Sequence, residues 1–265
     1  MSSTAYFREA GSGVGVVCLH ASGSSSAQWR PLMDRLADRF RVFAVDLCGY
    51  GKSSPWSGEG NLSLGDEVAE LEPVLLAAGE RFHLIGHSFG GAVALMAALA
   101  NPRRLRSLIL FEPMLLALLM QEDPQQPAAR EISAVRDETI TAVNDGDLAA
   151  SAERLVDYWT GRGMWARMPA ARRLGIAATM PKSIAEWPAA FDQGTPLSAF
   201  ASLYVPTLLL VGSESPASSR GVARLLAKTL PQVATLEIAG VGHMGPVTHP
   251  DKIDAQIESY LTSPI

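Results

Sequence analysis

The chain has 265 residues, 48% of them hydrophobic, and a formal net charge of −5. This length and apolar content allow one large buried core, and the acidic balance argues against nucleic acid or an anionic membrane as the main partner. The longest strongly apolar run, Met114 to Met120, is too short to cross a bilayer, and the first residues lack a secretory signal pattern. We therefore expect a cytoplasmic protein.

The first 85 residues alternate between short apolar runs and segments with helical periodicity. Continuous apolar runs are typical of parallel strands covered on both faces, and apolar residues spaced three and four apart are typical of amphipathic helices. The predicted strands are 4–7, 14–19, 41–47 and 82–85, and the predicted helices are 28–39 and 64–78. Such alternation indicates a mostly parallel sheet flanked by helices.

The segment Gly86 to Gly90 reads G-x-S-x-G, with Ser88 at its centre. It follows a predicted strand and precedes an Ala- and Leu-rich helix, predicted over 92–101. In that setting the motif is a nucleophile elbow, a tight turn in which the two glycines avoid side-chain collisions and the serine is presented at the sheet edge. The sequence therefore predicts Ser88 as a nucleophile.

The pattern changes after the predicted strand Leu105–Phe111. From Met114 to about Ala201 no strand is evident, and six prolines divide the segment, which indicates several short inserted helices. Alternation then resumes, with predicted strands at 205–211 and 235–238 and predicted helices at 220–229 and 251–261. We expect an α/β core in two parts, residues 1–113 and 201–265, with a helical cap over residues 114–200.

Four motifs in this order resemble the α/β-hydrolase superfamily, and the resemblance covers nearly the whole chain. They are His20-Ala21-Ser22-Gly23, the segment from Asp46 to Ser53, the elbow around Ser88, and Gly240-Val241-Gly242-His243-Met244. The resemblance implies a parallel sheet with an inserted helical cap and a catalytic triad in the chain order Ser, acid, His. It also implies an oxyanion hole made by the backbone N–H groups of Phe89 and Ser22, although Ala21 replaces the glycine usual after the histidine.

A serine hydroxyl needs a base within hydrogen-bond reach, and the base needs a third group that fixes its tautomer. Among five histidines, His243 lies in the glycine-rich loop between the last strand and the last helix, where the superfamily carries its base. For the other four we expect structural hydrogen bonds. These are His20, His83, His87 and His249.

The acid has two candidates. The superfamily most often carries it three positions after a glycine such as Gly212, but that residue is Ser215, and Glu214 is its acidic neighbour. The preferred candidate is Glu112, which ends the strand after the elbow helix, a place that some haloalkane dehalogenases use. Catalytic groups of open α/β sheets gather at the carboxyl ends of strands, where Glu112 falls. If neither acid serves, the triad is incomplete.

A serine at the elbow argues against dehalogenases and epoxide hydrolases, which carry aspartate there. We expect a hydrolase that cleaves a small to medium, largely apolar carboxylic ester or lactone through an acyl-enzyme. The alternatives are carbon–carbon bond hydrolysis or perhydrolysis on the same triad, or a non-catalytic ligand-binding relative. The sequence contains no metal-ligand cluster and no nucleotide-binding motif, so we expect no metal and no cofactor, and Cys18 and Cys48 are expected to be buried free thiols.

Apolar and aromatic residues of the cap are candidates for the substrate pocket, although most residues of this kind serve as ordinary packing. The candidates are Met114, Leu115, Leu118, Leu119, Trp159, Trp165 and Trp187.

Overall fold

The computed structural model describes residues 5–56 and 62–263. These residues contain seven strands, which are β1 (Phe7–Ala10), β2 (Val14–Leu19), β3 (Phe40–Val45), β4 (Phe82–His87), β5 (Leu105–Phe111), β6 (Thr207–Gly212) and β7 (Val233–Ile238). The strands form one sheet in the order β1-β3-β2-β4-β5-β6-β7, in which β1 runs antiparallel to β3 and every other pair is parallel. The mostly parallel α/β architecture is as predicted.

The first strand is the clearest correction to the sequence prediction. Strand β1 begins at Phe7, where the prediction ended it, and Thr4 lies outside the described residues. The antiparallel register pairs Phe7 with Val45 and Ala10 with Val42. Pairing with β3 therefore places the strand at residues 7–10, later in the chain than predicted. The predicted helix over 28–39 is also shorter, because a 3₁₀ turn precedes the α-helix, which starts with Pro31 in its first turn.

Helices cover both faces of the sheet and bury its apolar strands. The core helices are α1 (Arg30–Leu36), α2 (Leu64–Ala77), α3 (Phe89–Ala100), α10 (Ala217–Thr229), α11 (Gly245–Thr248) and α12 (Pro250–Thr262). One face of the sheet packs against α1 and α12, and the other packs against α2, α3 and α10. The sheet and the helices on its two faces form three layers with a buried apolar core on each side of the sheet.

The two cysteines differ in burial. Cys18 lies buried in this core, whereas Cys48 is partly exposed, and both are free thiols.

All regular structure between β5 and β6 is helical, and we refer to α4–α9 as the cap helices. They are α4 (Ala117–Glu122), α5 (Pro127–Asn144), α6 (Leu148–Thr160), α7 (Met164–Arg167), α8 (Ala170–Ala185) and α9 (Trp187–Phe191). Two of them, α5 with 18 residues and α8 with 16, are longer than the predicted short helices. Within the described part of the chain, no helix is both long and apolar enough to span a membrane.

Candidate active site

Loops after four strands of the sheet converge at its carboxyl edge. Strand β4 leads into Ser88, strand β5 into Glu112, and the loop after β7 carries His243. Strand β2, which pairs with β4, leads into the loop that contains Ser22. The parallel arrangement therefore brings together residues that are far apart in sequence, as is general for open α/β sheets.

Ser88 occupies a backbone conformation that residues other than glycine rarely adopt, with φ 54° and ψ −118°. The turn is tight, since a Cβ at Gly86 would lie 2.5 Å from the carbonyl oxygen of Gly90, and a Cβ at Gly90 would lie 2.4 Å from that of His20. Only glycine fits these two positions without a shift of backbone. The strained serine begins helix α3, as the elbow motif predicts.

The three predicted triad residues form one hydrogen-bonded chain. The Nε2 atom of His243 lies 2.9 Å from Ser88 Oγ, and its Nδ1 atom lies 2.6 Å from Glu112 Oε2. Exposed fractions are 3% for Ser88, 2% for His243 and 0% for Glu112. The arrangement can pass a proton from the hydroxyl to the imidazole and hold the ring in one tautomer while it does so.

The Glu112 carboxylate is fixed on both of its oxygen atoms. Its Oε1 accepts a hydrogen bond of 2.7 Å from the backbone N–H of Gly212, and its Oε2 faces His243. The residue has φ 43°, a left-handed conformation that turns the chain at the end of β5. Glu214, the other candidate acid, is exposed and its carboxylate makes no hydrogen bond to the described residues.

Three further contacts hold His243, and the sequence prediction did not include their roles. Ser219 Oγ of helix α10 lies 3.2 Å from His243 Nδ1. The Trp159 indole of cap helix α6 stacks on the imidazole, with ring centroids 4.2 Å apart. His87 Nε2 lies 2.9 Å from the His243 carbonyl oxygen, and burial lowers the pKa of His87 well below its usual value, so the neutral ring donates this bond.

The remaining histidines make structural hydrogen bonds. Burial lowers the pKa of His20 to about 4, so its neutral ring accepts from the Leu47 N–H at 3.0 Å and donates to the Ala21 carbonyl at 2.7 Å. This ring joins the loops after β2 and β3. His83 pairs with Ser107 at 2.8 Å, and His249 pairs with Thr248 at 2.9 Å.

Two backbone N–H groups near Ser88 are free to donate hydrogen bonds to an anionic oxygen of a substrate. Those of Ser22 and Phe89, the predicted oxyanion donors, have no acceptor among the described residues. The Phe89 N–H lies at the start of helix α3, whose positive dipole end favours negative charge. These residues can therefore stabilise a tetrahedral oxyanion of acyl transfer.

A small inner cavity of about 40 Å³ adjoins Ser88, and an open outer cavity of about 1240 Å³ lies beyond it. Of the predicted pocket residues, Met114, Trp159 and Trp187 line the inner cavity, while Leu115, Leu118 and Leu119 pack in the core and Trp165 packs among the cap helices. Five residues border both cavities, and they are Ser22, Leu155, Trp159, Ser183 and Met244. The described residues contain no cluster of His, Cys, Asp or Glu suited to a metal ion.

Comparison with known sequences gives a family match and a relative that each span most of the chain, and a further relative that matches a shorter part of it. A sequence profile described as alpha/beta hydrolase fold matches residues 15–250. The chain is 30% identical over 246 residues to a pimeloyl-(acyl-carrier protein) methyl ester esterase of Yersinia enterocolitica, covering 89% of this chain and 88% of that protein. A protein of the same name from Aeromonas hydrophila is 44% identical over 102 residues, which cover 37% of this chain and 37% of that protein.

A solved structure gives the same result for the fold. The enol-lactonase from Burkholderia xenovorans LB400 superimposes with a TM-score of 0.80 at 18% identity, covering 98% of this chain and 96% of that one. The profile and this likeness confirm the predicted fold class, and the names of the two sequence relatives agree with the predicted carboxylic ester hydrolase. The chain belongs to the α/β-hydrolase fold family.

Proposed function

We propose that the protein is a serine carboxylic ester hydrolase in which Ser88 is the nucleophile, His243 the general base and Glu112 the acid. The observation that carries this proposal is the unbroken hydrogen-bonded chain of these three side chains, buried beside a cavity. Serine, base and orienting acid within such distances are what nucleophilic catalysis at an acyl carbon requires.

In the first half of the reaction, His243 Nε2 takes the proton of Ser88 while the serine oxygen attacks the acyl carbon. The backbone N–H groups of Ser22 and Phe89 stabilise the oxyanion that forms on the substrate. Glu112 holds the imidazole in place and stabilises its protonated form. His243 then gives the proton to the leaving alcohol, and the acyl group stays on Ser88 as an ester.

In the second half, water replaces the alcohol. His243 takes a proton from the water, whose oxygen attacks the acyl carbon, and the carboxylic acid leaves as Ser88 regains its proton. The same backbone N–H groups serve both tetrahedral intermediates. No step needs a cofactor.

The two cavities suggest the shape of the substrate. The inner cavity beside Ser88, at about 40 Å³, has room for a group of only a few heavy atoms, whereas the outer cavity, at about 1240 Å³, can take a long chain. We therefore propose an acyl substrate with one small group and one larger group at the ester. The relatives from Yersinia and Aeromonas are named as methyl ester esterases, and a methyl ester of a longer acyl chain has this shape.

Esters that differ in the size of each side test this proposal. We expect hydrolysis of p-nitrophenyl acetate and of methyl octanoate, each with one small side, and at least about 100-fold lower kcat/KM for p-nitrophenyl octanoate, which is large on both sides. Product release is followed by absorbance or acid titration, with the Ser88→Ala variant as the background. Equal turnover of all three esters would contradict the proposed substrate shape, and turnover of none would contradict the proposed activity.

The alternatives have less support. A non-catalytic relative was suggested by the serine at position 215, but the carboxylate of Glu112 lies 2.6 Å from His243, which supports Glu112 as the acid of a complete triad. Hydrolysis of a carbon–carbon bond or perhydrolysis would use the same three side chains. Turnover of a vinylogous diketone without turnover of any ester would favour carbon–carbon hydrolysis over the proposed reaction.

A further inference from the structure

A buried cluster of charges lies next to the two predicted oxyanion residues. Lys182 of cap helix α8 contacts Glu186 at 2.8 Å and Glu67 of helix α2 at 3.5 Å, and the three residues are 6%, 0% and 1% exposed. Burial opposes the charge on Lys182, but Glu186 and Glu67 outweigh burial and raise its pKa, so the lysine remains a cation. A buried lysine with two carboxylates thus joins the cap helices to the core.

The lysine lies over two buried aromatic rings, those of Tyr50 and Phe89. Its Nζ atom is 4.8 Å from the ring centroid of Tyr50 and 5.6 Å from that of Phe89, whose backbone N–H is one of the two predicted oxyanion donors. Glu67 Oε2 accepts the backbone N–H of Cys48 at 3.2 Å, two residues before Tyr50. The cluster therefore fixes the position of the Tyr50 loop.

The Tyr50 hydroxyl connects this cluster to the second oxyanion residue. It lies 3.1 Å from Ser22 Oγ in the core and 3.3 Å from Ser183 Oγ on helix α8, which gives a chain of hydroxyls from the cap to the Ser22 loop. Helix α8 also packs directly on that loop, since a Cβ at Gly23 would lie 3.5 Å from Thr179 Oγ1. Ser22 and Ser183 both line the cavity that holds Ser88.

We infer that Tyr50, Ser183 and Lys182 are positioning residues that hold the Ser22 and Phe89 segments in the geometry of the oxyanion hole. This inference rests on the proposed function. Because two of the three residues come from helix α8, the hole has its full geometry only when that helix is docked on the core. None of the three side chains exchanges a proton with the substrate, and their effect on turnover passes through Ser22 and Phe89.

The mildest tests are Tyr50→Phe and Ser183→Ala, since each removes one hydroxyl and leaves the charge cluster intact. We expect Tyr50→Phe to lower kcat for p-nitrophenyl acetate by about 10-fold, with KM within about twofold, because a misplaced donor costs less than the loss of a whole donor. Ser183→Ala is expected to act in the same direction with a smaller loss. A third variant, Lys182→Met, removes the buried positive charge. Its matched control is Lys228→Met, which changes an exposed lysine of helix α10 and is expected to behave as wild type.

A thionoester separates a positioning role from a purely structural one. Sulfur accepts hydrogen bonds weakly, so an intact oxyanion hole favours the ester over the matching thionoester. We expect the ratio of kcat/KM for p-nitrophenyl acetate to that for its thionoester to fall by about 10-fold in Tyr50→Phe. Circular dichroism and thermal unfolding should match wild type for this variant.

Lys182→Met leaves two buried carboxylates without a partner, and the variant can fail to fold. In that case Tyr50→Phe and Ser183→Ala, which keep the charge cluster, test the inference. Unchanged kcat in both Tyr50→Phe and Ser183→Ala, or equal loss for the ester and the thionoester, would overturn the inference while an active wild type upholds the proposed function. A wild-type protein that hydrolyses neither substrate would overturn the proposed function, and this inference with it.

Discussion

Replacing Ser88 by alanine is expected to reduce kcat/KM for p-nitrophenyl acetate by at least about 10⁴-fold. The hydroxyl is the group that would bond to the acyl carbon, and its Oγ lies 2.9 Å from the base that would activate it. Without it the oxyanion donors can still bind the substrate, but no acyl-enzyme can form. Initial rates with a burst-phase analysis measure both the loss of turnover and the loss of the acyl intermediate.

Ser202→Ala is the matched control for this prediction, because Ser202 is an exposed serine outside the cavities. It should retain the wild-type rate. Alanine lacks only one oxygen atom relative to serine, and removing it from a strained elbow leaves the fold in place. A Ser88→Ala protein that keeps more than a tenth of the wild-type rate would contradict the assignment of Ser88 as nucleophile.

The second large loss of turnover is expected when the proposed acid, Glu112, is changed. Glu112→Gln should lower kcat by about 10³- to 10⁴-fold, because an amide can present its N–H to His243 Nδ1 and so favour the wrong tautomer. It also removes the negative charge that stabilises the imidazolium. Glu214→Gln, which changes an exposed carboxylate without a hydrogen-bond partner among the described residues, should stay within about twofold of wild type.

The pair of glutamate variants discriminates between the two acids that the sequence left open. Steady-state rates of both variants, with unfolding curves to establish that each is folded, are sufficient. A large loss in Glu214→Gln with little loss in Glu112→Gln would show that the loop after β6 supplies the acid. A loss in neither would mean that His243 works without a carboxylate partner.

The sheet could be predicted well because apolar residues dominate most of its parallel strands, and glycine, proline or polar residues lie near the strand ends. Strands β2 and β5 have the predicted boundaries, Val14–Leu19 and Leu105–Phe111. Strand β1 could not be placed in this way, because an edge strand is only partly buried and its extent depends on its partner. The register between two strands depends on contacts between segments that are distant in sequence, so a local sequence pattern does not define it.

The cap helices were predicted too short because their prolines were interpreted as breaks. Pro127 is the first residue of α5 and Pro169 is the N-cap of α8, positions at which proline starts a helix. Pro181 lies inside α8, which continues through it. Composition alone cannot distinguish a proline that begins a helix from one that ends it.

Some residues of the candidate site are indicated by the sequence around them, whereas others are identified only by contacts that the fold creates. Ser88 and His243 could be chosen as candidates from motifs that lie within a few residues of each. Glu112 could only be preferred, since its left-handed conformation and its contact with His243, 131 positions later, come from the fold. The contacts of Lys182 with Glu67 and of Tyr50 with Ser183 also join residues more than 100 positions apart, and no sequence motif indicates them.

Activation of Ser88 by His243 can be measured directly by covalent labelling of the serine. A fluorophosphonate probe reacts when an activated serine oxygen attacks phosphorus and fluoride leaves. We predict a single adduct per chain, mapped to Ser88 by peptide mass spectrometry, with labelling slowed by at least about 100-fold in His243→Ala and absent in Ser88→Ala. An unlabelled wild-type protein, or a His243→Ala variant labelled as fast as wild type, would show that His243 does not activate Ser88.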